Sequence, residues 1–374
     1  MLNHINDTEY VETQRGCIVA DDFVGDFFIR AATNRFGMVT YPLSTTQIKY
    51  LDSILIVTPH KLDAKSSALW RIKPSDGLYS KIKSLVIEGD NREAMVPLSK
   101  YRKEQDTLVI QSAWEKAGGS ANYYFFIAVE NFPHPAFFTR LKESLDTALK
   151  NNNIWYENRE MYDAIAAYRD TVALTLLHKP FDVHDEELRK RHLTSLFYAL
   201  KNTDDPIYDN LLWKLWKEEN IIDYDVFKKL YGKRPLEAYS LMVANMVDAE
   251  SFYTTLLRVE YPTFKKLTDT MMNIISAKDS ALAFEIISSK IKSGSSSIFV
   301  EFAEKADQSG DHRYIELFKE RLETESNPYI YLKAAKSLLL LKGIDAKPLI
   351  VQARLKNNHL NNGWGATALD KLLQ

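Results

Sequence analysis

The chain has very little cysteine, since Cys17 is the single one among 374 residues. A disulfide framework within the chain is therefore excluded, and the composition is consistent with a reducing compartment. Long apolar runs are also missing, because no uninterrupted run approaches the roughly 20 residues of a membrane span. The opening stretch is polar and carries Asp7, Glu9 and Glu12, which is not typical of a signal peptide. We therefore expect a cytoplasmic protein without a membrane-spanning segment.

An excess of basic charge is lacking as well. Lys and Arg number 48 and Asp and Glu number 50, which gives a net charge of −2. This balance argues against a protein held on nucleic acid by bulk charge, although a local basic groove is compatible with a neutral total. The length exceeds that of one typical core, so we expect two or three domains.

Up to residue 150, short apolar runs alternate with Gly, Pro, Ser and Asp, which predicts a mixed α/β domain over residues 1–150. Its predicted helices cover 21–37 and 138–150. The predicted strands cover 37–43, 52–58, 68–73, 81–88, 93–99, 106–114 and 122–130. The last of these, NYYFFIAVE, has the strongest strand character.

After residue 150, apolar residues recur at helical spacing, which predicts an all-α domain over 151–374 that begins with a helix over 161–177. The stretches 204–217 and 326–342 both open with a polar residue followed by Pro. They resemble the first helix of a HEAT-type repeat, in which helix pairs recur about every 40 residues. The alternative is an irregular helical bundle. The predicted fold is therefore an α/β domain followed by an all-α, HEAT-like array, whose surface would bind protein or nucleic acid.

Three residues of the first part follow the order of a known nuclease motif. Asp26 lies on the predicted first helix, Asp52 heads a predicted strand, and Lys73 ends the next predicted strand. This arrangement within residues 20–150 resembles the PD-(D/E)xK superfamily, the restriction-endonuclease-like fold. The resemblance implies catalytic roles for the three residues, with Asp26 and Asp52 as ligands of Mg²⁺ or Mn²⁺ that activates water.

The sequence departs from this motif at Arg71, where the family places an acid beside the lysine. An arginine supplies no metal ligand. Asp26 and Asp52 could still hold one ion weakly, with Asp76 or Glu88 as a third ligand. We therefore expect a non-catalytic or catalytically weakened nuclease-like protein that binds a protein or a nucleic acid, without a small-molecule cofactor. Analogy suggests a role in bacterial defence or in toxin immunity. The alternative is an active metal-dependent nuclease that uses Asp26, Asp52 and Lys73.

A histidine-rich segment offers a second metal candidate. His178, His184 and His192 lie among acidic residues, and clusters of this kind can bind zinc. Their spacing is not that of a helical metal pair, so a loop followed by a helix start is the favoured interpretation. The acids at 185–187 then mark the N-terminus of that helix.

Aromatic residues form a third candidate. Tyr208, Trp213 and Trp216 lie close together in sequence, and aromatics interleaved with lysine can stack on single-stranded bases. Core packing is the favoured interpretation, because the helical period accounts for their positions.

Overall fold

The structure is a computed structural model. It describes residues 10–15, 18–23, 45–46, 76–88, 92–118, 122–150, 158–259 and 261–374. Strands β1 (Tyr10–Arg15) and β2 (Ile18–Phe23) form an antiparallel hairpin. The rest of the regular structure in the described residues is helical, and the chain divides into two compact units, residues 1–208 and 209–374.

The first unit is built around two central helices. Its helices are α1 (Asp76–Ile87), α2 (Met95–Ser99), α3 (Thr107–Lys116), α4 (Asn122–Asn131), α5 (Phe138–Ala148), α6 (Asn158–Ala166), α7 (Thr171–His178) and α8 (Glu186–Leu200). Helix α4 packs against α2 and α6, and α6 packs against α8. The buried side chains of Phe125, Val129, Ile165 and Phe197 contribute to this core.

The second unit is a succession of packed helices. They are α9 (Asp209–Glu219), α10 (Tyr224–Lys233), α11 (Pro235–Val247), α12 (Ala249–Val259), α13 (Tyr261–Lys278), α14 (Ser280–Ser293), α15 (Ser296–Ser309), α16 (Tyr314–Thr324), α17 (Pro328–Lys342), α18 (Lys347–Lys356) and α19 (Gly363–Leu373). Among the described helices of both units, none combines the length and the apolar character that crossing a bilayer requires.

The second unit has a regular order of contacts. Helices that begin at residues 261, 296, 328 and 363 alternate with helices that begin at 280, 314 and 347. Helix α14 contacts α16, α15 contacts α17, α16 contacts α18 and α17 contacts α19, besides contacts between helices adjacent in sequence. The step is about 34 residues per helix pair, shorter than the 40 or more residues of HEAT repeats.

The predicted α/β domain is wrong, because the described residues from 76 onward form an array of packed helices, and the described strands are limited to the β1–β2 hairpin. Four segments predicted as strands are helical. Residues 81–88 belong to α1 and its end, 93–99 to a 3₁₀ turn and α2, 106–114 mainly to α3, and 122–130 to α4. The predicted helix over 138–150 is confirmed by α5.

Helical spacing explains why these segments are not strands. In α1 the buried residues are Leu78, Ile82 and Val86, at intervals of one helical turn that begin before the segment predicted as a strand. NYYFFIAVE is apolar almost throughout, and it is buried on more than one side between α2 and α6. A short apolar run does not distinguish a buried strand from a buried helix, and here the packing of neighbouring helices decided.

The remaining predicted elements of the first part are only partly covered. The predicted helix over 21–37 is wrong at its start, because residues 21–23 belong to β2. The rest of that helix and the strands predicted over 37–43, 52–58 and 68–73 lie outside the described residues.

The helix predicted over 161–177 is interrupted. Helix α6 ends at Ala166, Arg169 has a left-handed backbone with φ of 53°, and Asp170 caps α7 by accepting a hydrogen bond from Ala173 N at 2.7 Å. An aspartate at the N-cap stabilises a new helix start, so the chain turns here although the apolar period continues.

The C-terminal carbonyl groups of several helices are bonded by side chains from other elements. Such carbonyls have no partner within their own helix. In the first unit the pairs are Arg102 Nε to Asn131 O (2.9 Å), His192 Nε2 to Ala148 O (3.2 Å) and Tyr208 Oη to Ala166 O (2.5 Å). In the second unit they are Lys290 Nζ to Val247 O (2.5 Å), Arg321 Nη2 to Gly294 O (3.1 Å), Asn357 Nδ2 to Leu322 O (3.0 Å) and Lys347 Nζ to Leu373 O (2.6 Å).

A buried charge network joins α13 to α15 in the second unit. The Lys305 side chain is 6% exposed and pairs with Glu301 at 2.6 Å and with Asp269. The Thr268 hydroxyl donates to Glu301 at 3.0 Å. The two carboxylate partners compensate the charge of the buried Lys305 ammonium. Removing one of them would leave part of that charge uncompensated in the interior.

The close approach of α19 to α17 requires a glycine. A Cβ atom at Gly365 would lie 1.9 Å from Tyr331 Oη and 2.8 Å from Pro328 Cβ, and Tyr331 is itself buried. We expect Gly365→Ala to lower the free energy of unfolding by about 1–3 kcal/mol, since the ring has no room to move. Chemical denaturation measures this change.

Gly232 in α10 is the matched control. A Cβ there meets no atom within 4 Å. We expect Gly232→Ala to raise the stability by up to about 1 kcal/mol, because alanine has the higher helix propensity. Equal effects of the two substitutions would contradict the contact between α17 and α19.

Asn357 tests the bonding of helix ends. Its Nδ2 donates to Leu322 O and to Glu325 O, and its Oδ1 accepts from His359 N. The near-isosteric Asn357→Asp keeps the acceptor but removes both donors, so we expect a loss of about 1–3 kcal/mol in thermal or denaturant unfolding. Asn361→Asp, at an exposed residue whose Nδ2 bonds Arg354 O, should lose much less. A similar loss in both variants would contradict the interpretation.

Candidate functional site

A cleft of about 660 Å³ in the first unit brings together charged and aromatic side chains. We call it the arginine cleft. Its charged lining residues are Arg102, Glu130, Arg159, Asp163 and Arg169. Its other polar lining residues are Tyr198, Asn202, Thr203 and Tyr208. The cleft lies where α4, α6 and α8 end, so the ends of three helices determine its shape.

Two of the three arginines occupy an uncommon backbone conformation. Arg102 follows α2 with φ of 52°, and Arg169 follows α6 with φ of 53°. Their amides donate to Ser99 O at 3.0 Å and to Ala166 O at 3.3 Å, as at a helix C-terminus. Glycine is the usual residue in the left-handed conformation after a helix, because a side chain there is strained. The chain therefore carries an arginine at a backbone cost at both positions.

The arginines are only loosely engaged by carboxylates of the described residues. Arg159 Nε lies 3.6 Å from Asp163, and Arg169 Nε lies 3.9 Å from Asp205, both beyond hydrogen-bond distance. The side chains of Arg159 and Arg169 are 56% and 67% exposed. Much of the hydrogen-bonding capacity of these planar guanidinium groups therefore faces solvent.

Both carboxyl groups of the cleft have a raised pKa, although Asp163 is half-buried and Glu130 is an exposed residue at the end of α4. Burial, together with the charge of Glu130, raises the pKa of Asp163 to about 7, although Arg159 acts in the opposite direction. Desolvation of its carboxyl in the cleft also raises the pKa of Glu130. Near neutral pH, Asp163 is therefore partly protonated and contributes less than one full negative charge.

The tyrosines of the cleft are fixed differently. Tyr208 is buried, and the bond to Ala166 O holds its hydroxyl on the end of α6. Burial raises the pKa of Tyr208 to about 12, so it stays neutral. The half-buried Tyr198 ring lies 5.9 Å from the Arg159 guanidinium and 4.8 Å from Lys201 Nζ. Both are cation–π contacts, which attract a positive charge to the face of the Tyr198 ring.

The predicted nuclease residues are not part of this cleft. Asp26, Asp52 and Lys73 lie outside the described residues, as does Arg71. Their catalytic and metal-binding roles stay predictions.

The two proposed substitute ligands lie at the two ends of one helix. Asp76 begins α1, whereas Glu88 follows its last residue and accepts from the Ser84 hydroxyl at 2.9 Å. Within the described part of the chain, no group of three or more His, Cys, Asp or Glu residues is arranged to hold a metal ion.

Within the histidine-rich segment, His192 and Asp185 have structural roles. His192 is buried between the Tyr162 hydroxyl, 2.9 Å from Nδ1, and Ala148 O, 3.2 Å from Nε2. Because a carbonyl only accepts, Nε2–H donates to it and Nδ1 accepts from the tyrosine. Asp185 caps α8 by accepting from Leu188 N at 2.9 Å, which confirms the predicted helix start.

The predicted aromatic group packs in the interior for the most part. Tyr208 and Trp216 are buried, and the indole N–H of Trp216 donates to Asn245 at 2.8 Å. Trp213 is half-buried, and its ring lies 5.4 Å from that of Trp216. Core packing, the favoured interpretation, is confirmed for the two buried residues.

Sequence reasoning missed the arginine cleft. Its residues are distant in sequence, and the segments around Arg102 and Glu130 were assigned to a sheet. One local signal was available, because Asp170 followed by Thr171 is a typical helix N-cap and marks the break at Arg169.

Comparison with protein-family models, with curated proteins and with solved structures finds no match to this chain. Neither the PD-(D/E)xK nor the HEAT resemblance is supported by such a match. The function must therefore be inferred from the residues of the cleft and from the helical array.

Asp163 gives the cleft a testable pH dependence. Its folded-state pKa of about 7 exceeds the unfolded value of about 3.9, so the folded state binds more protons within this window. The stability contributed by this group is therefore present at low pH and is lost as the pH rises to about 7. We expect the stability of Asp163→Asn relative to wild type to increase from pH 4 to pH 7 and to level off above it.

Thermal unfolding over this pH range makes the measurement. Asp146→Asn is the control, because Asp146 pairs with Lys179 at 2.5 Å and does not line the cleft. Its substitution should remove at most about 1 kcal/mol. A relative stability of Asp163→Asn that does not change with pH would show that the carboxyl is ordinarily solvated.

Proposed function

We propose that this chain is a binding protein whose partner is another protein, and that the arginine cleft is a contact site for that partner. The observation that carries the proposal is the composition of the cleft, with three arginines and two tyrosines around one concavity. Arg and Tyr, together with Trp, are the residue types most enriched among the residues that dominate binding energy at protein interfaces. A volume of about 660 Å³ is enough to accept side chains of a partner.

The charge distribution favours a protein partner over a nucleic acid. Glu130 and Asp163 line the same cleft as the arginines, and the whole chain has a net charge of −2. A nucleic-acid strand presents a series of phosphates, whose binding depends on many uncompensated cations. A mixed-charge cleft suits a partner with a few charged groups at defined positions.

The second unit supports the same function. Helices α13 to α19 alternate with a step of about 34 residues, and each contacts the helix two positions further along the chain for most of this stretch. This is the pattern of contacts expected of a repeat array. We infer that these helix pairs are structural repeats. They resemble the expected HEAT-like array in their alternation of helices, although their step is shorter. Such arrays present extended surfaces on which partners bind. Masking of a toxin, the role suggested by analogy, is one function that a binding protein of this kind would serve.

A photo-crosslinking experiment tests the proposal. The crosslinking amino acid p-benzoylphenylalanine replaces Ala199, which lines the cleft, in cells that naturally express the protein. We expect irradiation to produce a discrete adduct with one protein. The same amino acid in place of Lys142, an exposed residue of α5 outside the cleft lining, should not give that adduct. Adducts with nucleic acid, or none at Ala199, would contradict the proposal.

A further inference from the structure

We propose that the arginine cleft recognises a carboxylate-bearing, acidic segment of the partner polypeptide, held by Arg102 and Arg169. This inference rests on the proposed function, because it specifies the chemistry of the partner at the same cleft.

Arg102 and Arg169 both occupy a left-handed backbone conformation that is unfavourable for residues other than glycine. Both residues follow a helix with φ near 50°, where glycine would be relaxed. Strained conformations of this kind concentrate at functional sites, where the side chain is needed. Asn220, the third non-glycine residue with positive φ in the described residues, has an evident structural use, because its Oδ1 accepts from Asn245 at 2.7 Å. No comparable bond within the described residues engages the end of the Arg169 side chain.

The donors of the two arginines remain available for a ligand. Arg102 uses Nε for Asn131 O, which leaves both terminal NH₂ groups without a carboxylate partner in the described residues. Arg169 lies 3.9 Å from Asp205 and is largely exposed. A guanidinium group has two parallel donors that match the two oxygens of a carboxylate. An acidic side chain could therefore bind these guanidinium groups without first breaking a close ion pair.

The balance of charge favours an anion. Three arginines line the cleft against two carboxyl groups, and one of these, Asp163, is partly neutral near pH 7 because of burial and the charge of Glu130. Arg159 lies 3.6 Å from Asp163, whereas Arg169 lies 3.9 Å from Asp205 and is the more exposed of the two. Arg102 is exposed as well, so Arg102 and Arg169 have the more accessible guanidinium groups for a ligand. The cleft presents two such cations rather than an extended basic face, which fits a short acidic segment better than a nucleic-acid strand.

Fluorescence anisotropy with labelled probes tests the inference at low salt. The probes are a short peptide of alternating Glu and Ser, the same peptide with Gln in place of Glu, and a short oligouridylate. We expect the full-length protein to prefer the Glu peptide over the Gln peptide by about tenfold or more, as hydrogen bonds to charged groups provide. Equal affinity for these two peptides would overturn the inference. Tighter binding of the oligouridylate would assign the cleft to nucleic acid instead.

Arg169→Gly separates binding from folding, whereas Arg102→Gly also removes the bond to Asn131 O at the end of α4. Each should weaken the binding of the Glu peptide about tenfold. The melting temperature of Arg169→Gly should not fall, because glycine relieves the left-handed backbone. Arg140→Ala, which removes a charge paired with Glu115 and Glu143 outside the cleft lining, should leave the affinity unchanged. Unchanged affinity in both glycine variants would overturn the assignment.

The crosslinking experiment, repeated in the double variant Arg102→Gly and Arg169→Gly, tells the two proposals apart. Loss of the Ala199 adduct from the double variant supports the acidic contact. An adduct that persists in the double variant leaves the protein-binding function standing and refutes the acidic contact. No adduct in the wild-type background refutes the proposed function itself.

Discussion

The hydrogen bonding of helix C-termini is the constraint on which this structure depends. Each helix ends with carbonyl groups that lack a partner in the helix itself, and an array of short helices contains many such ends. The chain bonds them with side chains from elements more than 20 residues away, among them His192, Arg321 and Asn357. These bonds connect the end of one helix to a distant element, so they link the packing of the helices to the satisfaction of their polar groups.

The arginine cleft follows from the same constraint. It forms where α4, α6 and α8 end, and Arg102 and Tyr208 bond two of those ends. Helix C-termini carry partial negative charge, which arginines in their vicinity offset. Arg169 lies in the break between α6 and α7 and makes no close ion pair within the described residues. A requirement of folding thus brought one cation, Arg102, to a concave surface, where Arg159 and Arg169 add further donors.

Parts of this architecture could be read from the sequence, and the reasons differ from element to element. The helix start at Asp185 was predictable, because an acidic cap followed by acids in the first turn is a local signal. NYYFFIAVE was misassigned, because its apolar run lacks the period that would separate a helix from a strand. The arginine cleft was not predictable, because Arg102, Glu130 and Arg169 come from separate helix ends. Their proximity depends on the packing of α4 against α6.

The sequence by itself determined the helical character of the residues after the first part, the absence of a disulfide framework and the near balance of charge. These properties depend on composition and on spacing within one helical turn. The tertiary structure alone decided that residues 76–131 are helical throughout their regular elements, that the segment 161–177 is broken at Arg169, and that three arginines share one cleft. The physical reason is that burial between neighbouring helices and hydrogen bonds between distant helix ends contribute to the free energy of folding. A local sequence pattern does not contain this information.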